Sequence, residues 1–330
     1  MNNKVILKAE LPLFSTFHYQ LTAGVALAEN PTGENWYFNE CNTLQCGRRF
    51  LTGYSSPELN VCRTELAFVS PVEKIPYDLR FLKEELHSMI KRILRSDYYV
   101  AFENFDDYYI QGKSCYGQRH LTHDGLICGY DDKKKTYSIM AYDTNWVCRV
   151  FETPQKCLEQ AMMFLPEEEL YSRLQAAKAK NIVLEPNLTK IKEGLIDYLD
   201  SNLDRYSPRE DKDAFGTVVN DYVCMYIDLL RTEKIPYEKR DRRVFRVLWE
   251  FRRCMYLRLL MIDKLLKTNM VQDYKGIMGD SNLMRMMYAK YIMKQDNNLL
   301  LSLKKQLQKV LVQEKNILEQ VILALEKGGY

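Results

Sequence analysis

Two histidines stand three residues apart at the head of an apolar run, "HLTHDGLICGYDDKKKTYSIMAYDTNW", which spans His120 to Trp146. Histidine is the side chain that titrates nearest neutrality, so it suits general-base work. Its partner in such work is a carboxylate that fixes the imidazole tautomer. The run reads as a hairpin with its turn at Asp132–Lys134, so that Asp131 opposes Lys135 and His123 opposes Asp143. Opposed residues on one face have Cβ atoms roughly 4.5–5.5 Å apart, within reach of an imidazole–carboxylate hydrogen bond. His123 is therefore the expected base and Asp143 its orienter. The plain alternative is a strand-end histidine satisfied by a carbonyl or by water. His120 and His123 together would suit a metal, but no third ligand stands at a recognisable spacing, so no metal is expected.

The elements that must hold this hairpin follow from periodicity. "KVILKAELP" reads as a strand and "FHYQLTAGVALAEN" as a first helix. "PYDLRFLKEELHSMIKRILR" repeats Leu79, Leu82, Leu86, Ile90 and Ile93 at helical spacing. "SDYYVAFENFDDYYI" is rich in aromatic and branched residues and reads as a strand. Near residue 155 the period changes. Residues 155–179, 187–204, 208–233, 238–268 and 277–327 all read as helices, with breaks at Glu185-Pro186, Ser207-Pro208, Ile235-Pro236 and Gly276 to Asp280. The expected fold is α+β, with an α+β domain over 1–154 and an all-helical domain over 155–330.

Composition narrows the function. The chain has 330 residues, 46% of them hydrophobic, which is enough for a sizeable core. A net charge of +3 gives no case for nucleic acid as the main partner. No apolar run is long enough to span a membrane. The opening "MNNKVILKAELPLFSTF" lacks the apolar core and cleavage site of a signal peptide. Nine cysteines, with no CxxC pair, suggest free thiols rather than a disulfide framework. A cytosolic location is expected. Glycines show no phosphate-loop or dinucleotide spacing, so no cofactor of its own is expected.

One stretch carries a resemblance. "FDDYYIQGKSCYGQRHLTHDGLICGYDDKKKTYSIMAYD" resembles the papain-fold family typified by the N-terminal domain of the butirosin-pathway acyltransferase. A thiotemplated amide-forming enzyme of polythioamide antibiotic assembly belongs to the same broad group. The matching features are Asp107-Tyr108-Tyr109, His123-Asp124, Gly129-Tyr130-Asp131 and Tyr142-Asp143. The resemblance covers roughly residues 10–150 and, more loosely, the helical tail. It implies a papain-like (cysteine-protease-like) N-terminal domain and acyl transfer from a carrier-protein thioester to a small amine, in specialised metabolism. The acyl carrier protein and the amine are the implied partners, and the donor would be phosphopantetheine-linked. His123 would be the general base and Asp143 its orienter.

The nucleophile departs from the family pattern. A papain-like fold places its cysteine at the start of the first long helix, where the helix dipole and an imidazolium lower the thiol pKa. Here that helix has none. Three readings stay open. Cys46, in "LQCGRR", serves, with its arginines favouring a thiolate and Cys41 as a neighbouring alternative. Or the nucleophile is lost and the protein is a catalytically inactive binding protein or scaffold. Or Ala23 stands where a cysteine was replaced. With water as acceptor, the same chemistry would give a cytosolic cysteine peptidase or hydrolase. Two other features invite a role. The arginines of 238–258 suggest a face for an acidic partner, against a plain solvated face. The acids of "ENFDDYY" suggest an amine contact, against turn chemistry.

Overall fold

The computed structural model describes residues 4–9, 24–25, 29–52, 56–62, 71–81, 85–145, 147–164, 174–202 and 213–330. In chain order the first elements are β1 (Lys4–Ile6), α1 (Gly33–Glu40), β2 (Thr43–Cys46), β3 (Asn60–Cys62) and β4 (Val72–Tyr77). Then come α2 (Leu86–Arg95), β5 (Tyr99–Asp106), β6 (Thr122–Asp131), β7 (Thr136–Tyr142), β8 (Cys148–Pro154), α3 (Gln155–Met162) and β9 (Leu174–Ala179). The rest is α4 (Leu188–Asp200), β10 (Ala214–Phe215), α5 (Val218–Arg231), α6 (Val244–Leu266), α7 (Val271–Lys294) and α8 (Asn297–Lys327). The architecture is α+β, an antiparallel sheet followed by a helical region.

The chain forms two compact units, and each is built from two separate stretches. One unit comprises Met1–Gly33 with Ser70–Val183, and the other Glu34–Val69 with Leu184–Tyr330. The expected division at 154/155 therefore falls inside the first unit. The physical reason is β9. Its residues, "LQAAKA", were expected to be helical, as alanine-rich text suggests. Instead they form a strand between β4 and β5, pairing Ala177 with both Lys74 and Tyr99. Leu174, Ala176 and Ala177 are buried there. A strand held on both edges gains more from tertiary packing than the helix propensity of alanine offers.

The first unit's sheet runs β4-β9-β5-β6-β7-β8, all antiparallel, and β1 pairs with β6. β1 takes the end of β6 that β5 does not reach: Lys4–Ile6 pair with Asp131 to Gly129, whereas β5 pairs only as far as Ile127. A Cβ on Gly129 would lie 2.6 Å from Val5 O, so β1 can approach only a glycine here. α2 buries Leu86, Met89, Ile90, Ile93 and Leu94 at helical spacing. They join Val100, Phe102, Phe105, Ile127 and Ile139 in one core under the sheet.

The second unit has a small sheet, β10-β2-β3, and the long helices. Helices were expected here, but their ends differ. No break occurs at Gly276 to Asp280; α7 runs through it, and the break falls at Gln295-Asp296. Both glycines of α7 have open space where a Cβ would stand, so they cost helix propensity without forcing a turn. Asp296 caps α8 by accepting from Asn298 N. Among the described residues no helix is long and apolar enough to cross a membrane.

Candidate functional site

The ladder between β6 and β7 explains why the expected pair does not meet. Asp131 opposes Thr136, not Lys135, because the turn takes Lys135 into the left-handed region at φ 53°. A bulge between Ile127 and Gly129 then shifts the register, and the β6–β7 pairing runs as far as Leu126–Met140. His123 lies beyond that point and pairs across β5 instead, opposite Phe105. Asp143 turns into its own β7–β8 loop. Its Oδ1 accepts from Asn145 N at 2.8 Å and Val147 N at 3.0 Å, and its Oδ2 accepts from Arg149 Nε. Burial would raise the Asp143 carboxyl, but the Val147 and Asn145 amides and the Arg149 guanidinium outweigh it and hold it below the usual carboxylate range. Asp143 is a loop cap, and the expectation that it orients His123 is corrected.

The carboxylate beside His123 is Asp107. His123 Nδ1 donates to Asp107 Oδ2 at 2.7 Å. β5 delivers Asp107 through a second bulge. Phe102 opposes Gly125 and Phe105 opposes His123, so Glu103 and Asn104 share the single position of Asp124. Asn104 has φ 56°, and its N–H donates to Asp124 Oδ1 at 3.0 Å. Gly125 leaves room for Phe105, whose ring a Cβ would meet at 2.7 Å. A bulge beside a site typically re-aims the strand's end. Here the strand runs on into a 3₁₀ turn, Asp107–Tyr109, whose first residue is the His123 partner.

Asp106, the preceding residue, serves the other histidine. Its Oδ2 accepts from His120 Nδ1 at 2.5 Å, and its Oδ1 accepts from Tyr108 N and Leu121 N. The His120 ring stacks on Tyr108 at 4.4 Å and on Phe164 at 4.9 Å between centroids. Two consecutive aspartates thus hold two histidines. Both carboxylates are buried, while the imidazole side chains are 52% (His120) and 27% (His123) exposed. A buried acceptor with a part-exposed imidazole is the arrangement a base needs. The carboxylate fixes the proton on Nδ1, so Nε2 is the basic nitrogen.

A third group completes the site. Lys113 is buried, and its Nζ lies 3.1 Å from Asp107 Oδ1 and 5.2 Å from the centre of the Phe105 ring. The contact with Oδ1 is charge to charge rather than a well-aligned hydrogen bond. Burial pushes the Lys113 ammonium down, against the pull of Asp107 first and then of Cys148 and Cys115. Asp107 is thus a buried anion between an imidazole and an ammonium. Sequence reasoning missed Asp107, Asp106 and Lys113 in these roles. The available signal was the pairing of "DDYY" with "HLTH", two acids followed by two histidines at nearly equal offsets. Among the described residues no group of three His, Cys, Asp or Glu side chains is placed to hold a metal.

The expected nucleophiles lie in the other unit. Cys46 ends β2, is fully buried, and its thiol donates to Gly47 O at 3.3 Å. Burial, with Asp213 and Glu58 adding to it, pushes the thiol up to about 12, and Arg48 does not offset this. The expected arginine assistance is real in sign and too small. Cys41 is also buried, and its carbonyl accepts from Arg258 Nη2 at 2.8 Å. Neither thiol is presented as a nucleophile. Ala23 lies outside the described residues. In the first unit Cys115 accepts from Arg119 Nε at 3.3 Å and is buried.

The arginine-rich helix divides. Arg252 and Arg258 are buried. Arg258 caps α1, donating to the carbonyls of Phe38 and Cys41 at 3.0 and 2.8 Å. Arg253 and Arg285 flank the Trp249 ring. Two of the seven arginines of 238–258, Arg252 and Arg258, thus serve the interior rather than a docking face.

The Asp143 geometry makes one prediction. Its folded carboxyl is depressed, so its contribution to stability is present above the unfolded value of about 3.9 and is lost as pH falls through the folded value. Asp143→Asn is expected to lower the urea midpoint at about pH 7 and to match the wild type near pH 2. A difference that stays constant across that range would contradict the cap.

No family model matches the chain, and no curated protein matches it.

Proposed function

We propose that the first unit is a papain-like domain that transfers an acyl group from a phosphopantetheine-linked thioester to a small amine. His123 is the general base and Asp107 its orienter. The observation that carries this reading is the 2.7 Å bond from His123 Nδ1 to the buried Asp107 carboxylate. The resemblance around His123, Gly129-Tyr130-Asp131 and the acidic-Tyr-Tyr segment supplies the acyl-transfer chemistry.

The step is a direct displacement. The amine nitrogen attacks the thioester carbonyl while His123 Nε2 takes its proton. The C–S bond breaks, the thiolate leaves with the electron pair, and the imidazolium returns the proton to it. Asp107 stabilises the imidazolium, and Lys113 keeps that carboxylate's buried charge compensated. A covalent route through Cys46 is not part of this reading, because that thiol is buried and protonated. An acyl carrier protein is the donor's partner, and the many free thiols suit a cytoplasmic setting.

The burial of Cys41 and Cys46 favours a second reading, a catalytically inactive papain-like binding protein. One experiment separates the two. The full chain is incubated with an acyl-pantetheine thioester and a primary amine, and amide is followed by mass spectrometry. Amide should form at the same rate with Cys46→Ala as with the wild type, with no acyl adduct on the intact protein. No amide above background would favour the binding protein. Acid in place of amide would make water the acceptor and the protein a hydrolase. An adduct on Cys46 would overturn direct displacement.

A further inference from the structure

A cavity of about 460 Å³ opens over α2, and Glu85, Lys91, Arg92, Arg95 and Asp132 all line it. Among the described residues, of its three cations only one is matched by an acid: Lys91 Nζ lies 2.6 Å from Asp132 Oδ1. The two arginines are anchored on neutral groups. Arg92 Nη2 donates to Met89 Sδ at 3.1 Å. Arg95 Nε donates to Tyr130 OH at 2.6 Å, and its guanidinium lies 5.4 Å from the centre of that ring. Met89 and Tyr130 are buried, so both anchors are fixed and leave the guanidinium charges uncompensated.

Cations near a helix C-terminus are favourable in themselves. That accounts for basic residues at the end of α2, but not for their anchoring or for the cavity. The last carbonyls of α2 are also already met, since Ser96 N donates to Arg92 O and Ile93 O. Arg92 and Arg95 share a face at i and i+3, and Ser88 adds a hydroxyl to the same cavity. Two guanidinium forks and a hydroxyl match the oxygens of a phosphate group. The volume lies in the range of small-molecule sites, roughly 300–1,000 Å³. Glu85 stands seven residues before Arg92, about 10 Å along the helix axis. An acid at that end repels a second anion and suits an amine.

We infer that this cavity binds a small phosphorylated molecule, with its phosphate on Arg92 and Arg95 and a neutral or amine-bearing end toward Glu85. The test is calorimetric titration of the full chain with aminohexyl phosphate, inorganic phosphate and a phosphoserine peptide. Aminohexyl phosphate should bind saturably and more tightly than inorganic phosphate. Arg92→Gln should weaken it by about tenfold or more. Glu85→Gln should remove its advantage over inorganic phosphate. Both side chains are exposed, and circular dichroism checks that the variants fold. The inference is overturned by no saturable binding up to about 10 mM, by equal affinity in Arg92→Gln, or by tighter binding of the phosphopeptide.

Discussion

Asp107→Asn is expected to lower amide formation by roughly 10³–10⁴-fold, read on protein that circular dichroism shows to be folded. The carboxylate can only accept, so it forces the His123 proton onto Nδ1 and leaves Nε2 basic. An asparagine can turn its amide and donate to Nδ1 instead. The proton then sits on Nε2, the nitrogen that must take a proton from the amine, and the base is lost in the wrong tautomer. His123→Ala removes the base outright and should cost about 10²–10⁴-fold. Asp143→Asn is the control, because its carboxylate binds Asn145, Val147 and Arg149 and should leave turnover within about threefold. Single-turnover rates for the three variants decide the matter. Equal rates for Asp107→Asn and wild type would sink the dyad, and a large loss in Asp143→Asn alone would restore the orienter expected from the hairpin.

In the second unit, Glu314→Ala is expected to cost about 3–5 kcal/mol of stability. Glu314 is buried in α8, bonds side chains of three other helices and reaches a fourth through Arg252. Arg252 of α6 donates to its two oxygens at 2.9 to 3.2 Å, Tyr274 of α7 at 2.5 Å and Tyr198 of α4 at 3.3 Å. Asn220 of α5 accepts from Arg252 Nη2 at 3.2 Å. Burial works against the Arg252 charge, and Glu314 more than offsets it. Without Glu314 a guanidinium is stranded in the interior and two buried hydroxyls lose their acceptor. Domains are stable by only about 5–15 kcal/mol, so one substitution would consume a large share. Arg252→Met with Glu314→Leu should recover part of the loss, because it removes both charges, including an Arg252 Nη1 that has no hydrogen-bond partner among the described residues. Urea melts followed by tryptophan fluorescence would read this. A single-variant loss under about 1 kcal/mol would mean that the network is not what holds the five helices.

His123 was legible because its residue type and its place at a strand head do not depend on register. Its partner was not legible, because two bulges intervene. The hairpin arithmetic ran along β6–β7, whereas the residue that meets His123 arrives from β5, and a one-residue bulge at Glu103-Asn104 sets where that strand ends. The acids of "ENFDDYY" read as an amine contact beside the hairpin or as turn chemistry, neither of which makes them the partners of the two histidines. Lys113 was invisible for another reason. A lysine in a loop reads as solvated, and only the fold around Asp107 buries it. The long helices were legible from their stripes, since apolar period survives without tertiary knowledge. β9 was not, because its text favours a helix and only the open edges of β4 and β5 make it a strand.

The interleaving of the two units has a consequence for synthesis. β2, with Cys46, leaves the ribosome well before its neighbour β10, which pairs through Ala214 and Phe215, roughly 170 residues later. At about 5–20 residues per second the nascent strand waits roughly ten to thirty seconds for that partner. During that interval the thiols of Cys41 and Cys46, inert once buried, stand in water and can react. A brief pulse of alkylating agent on ribosome-bound chains should therefore label cysteines that the finished protein hides.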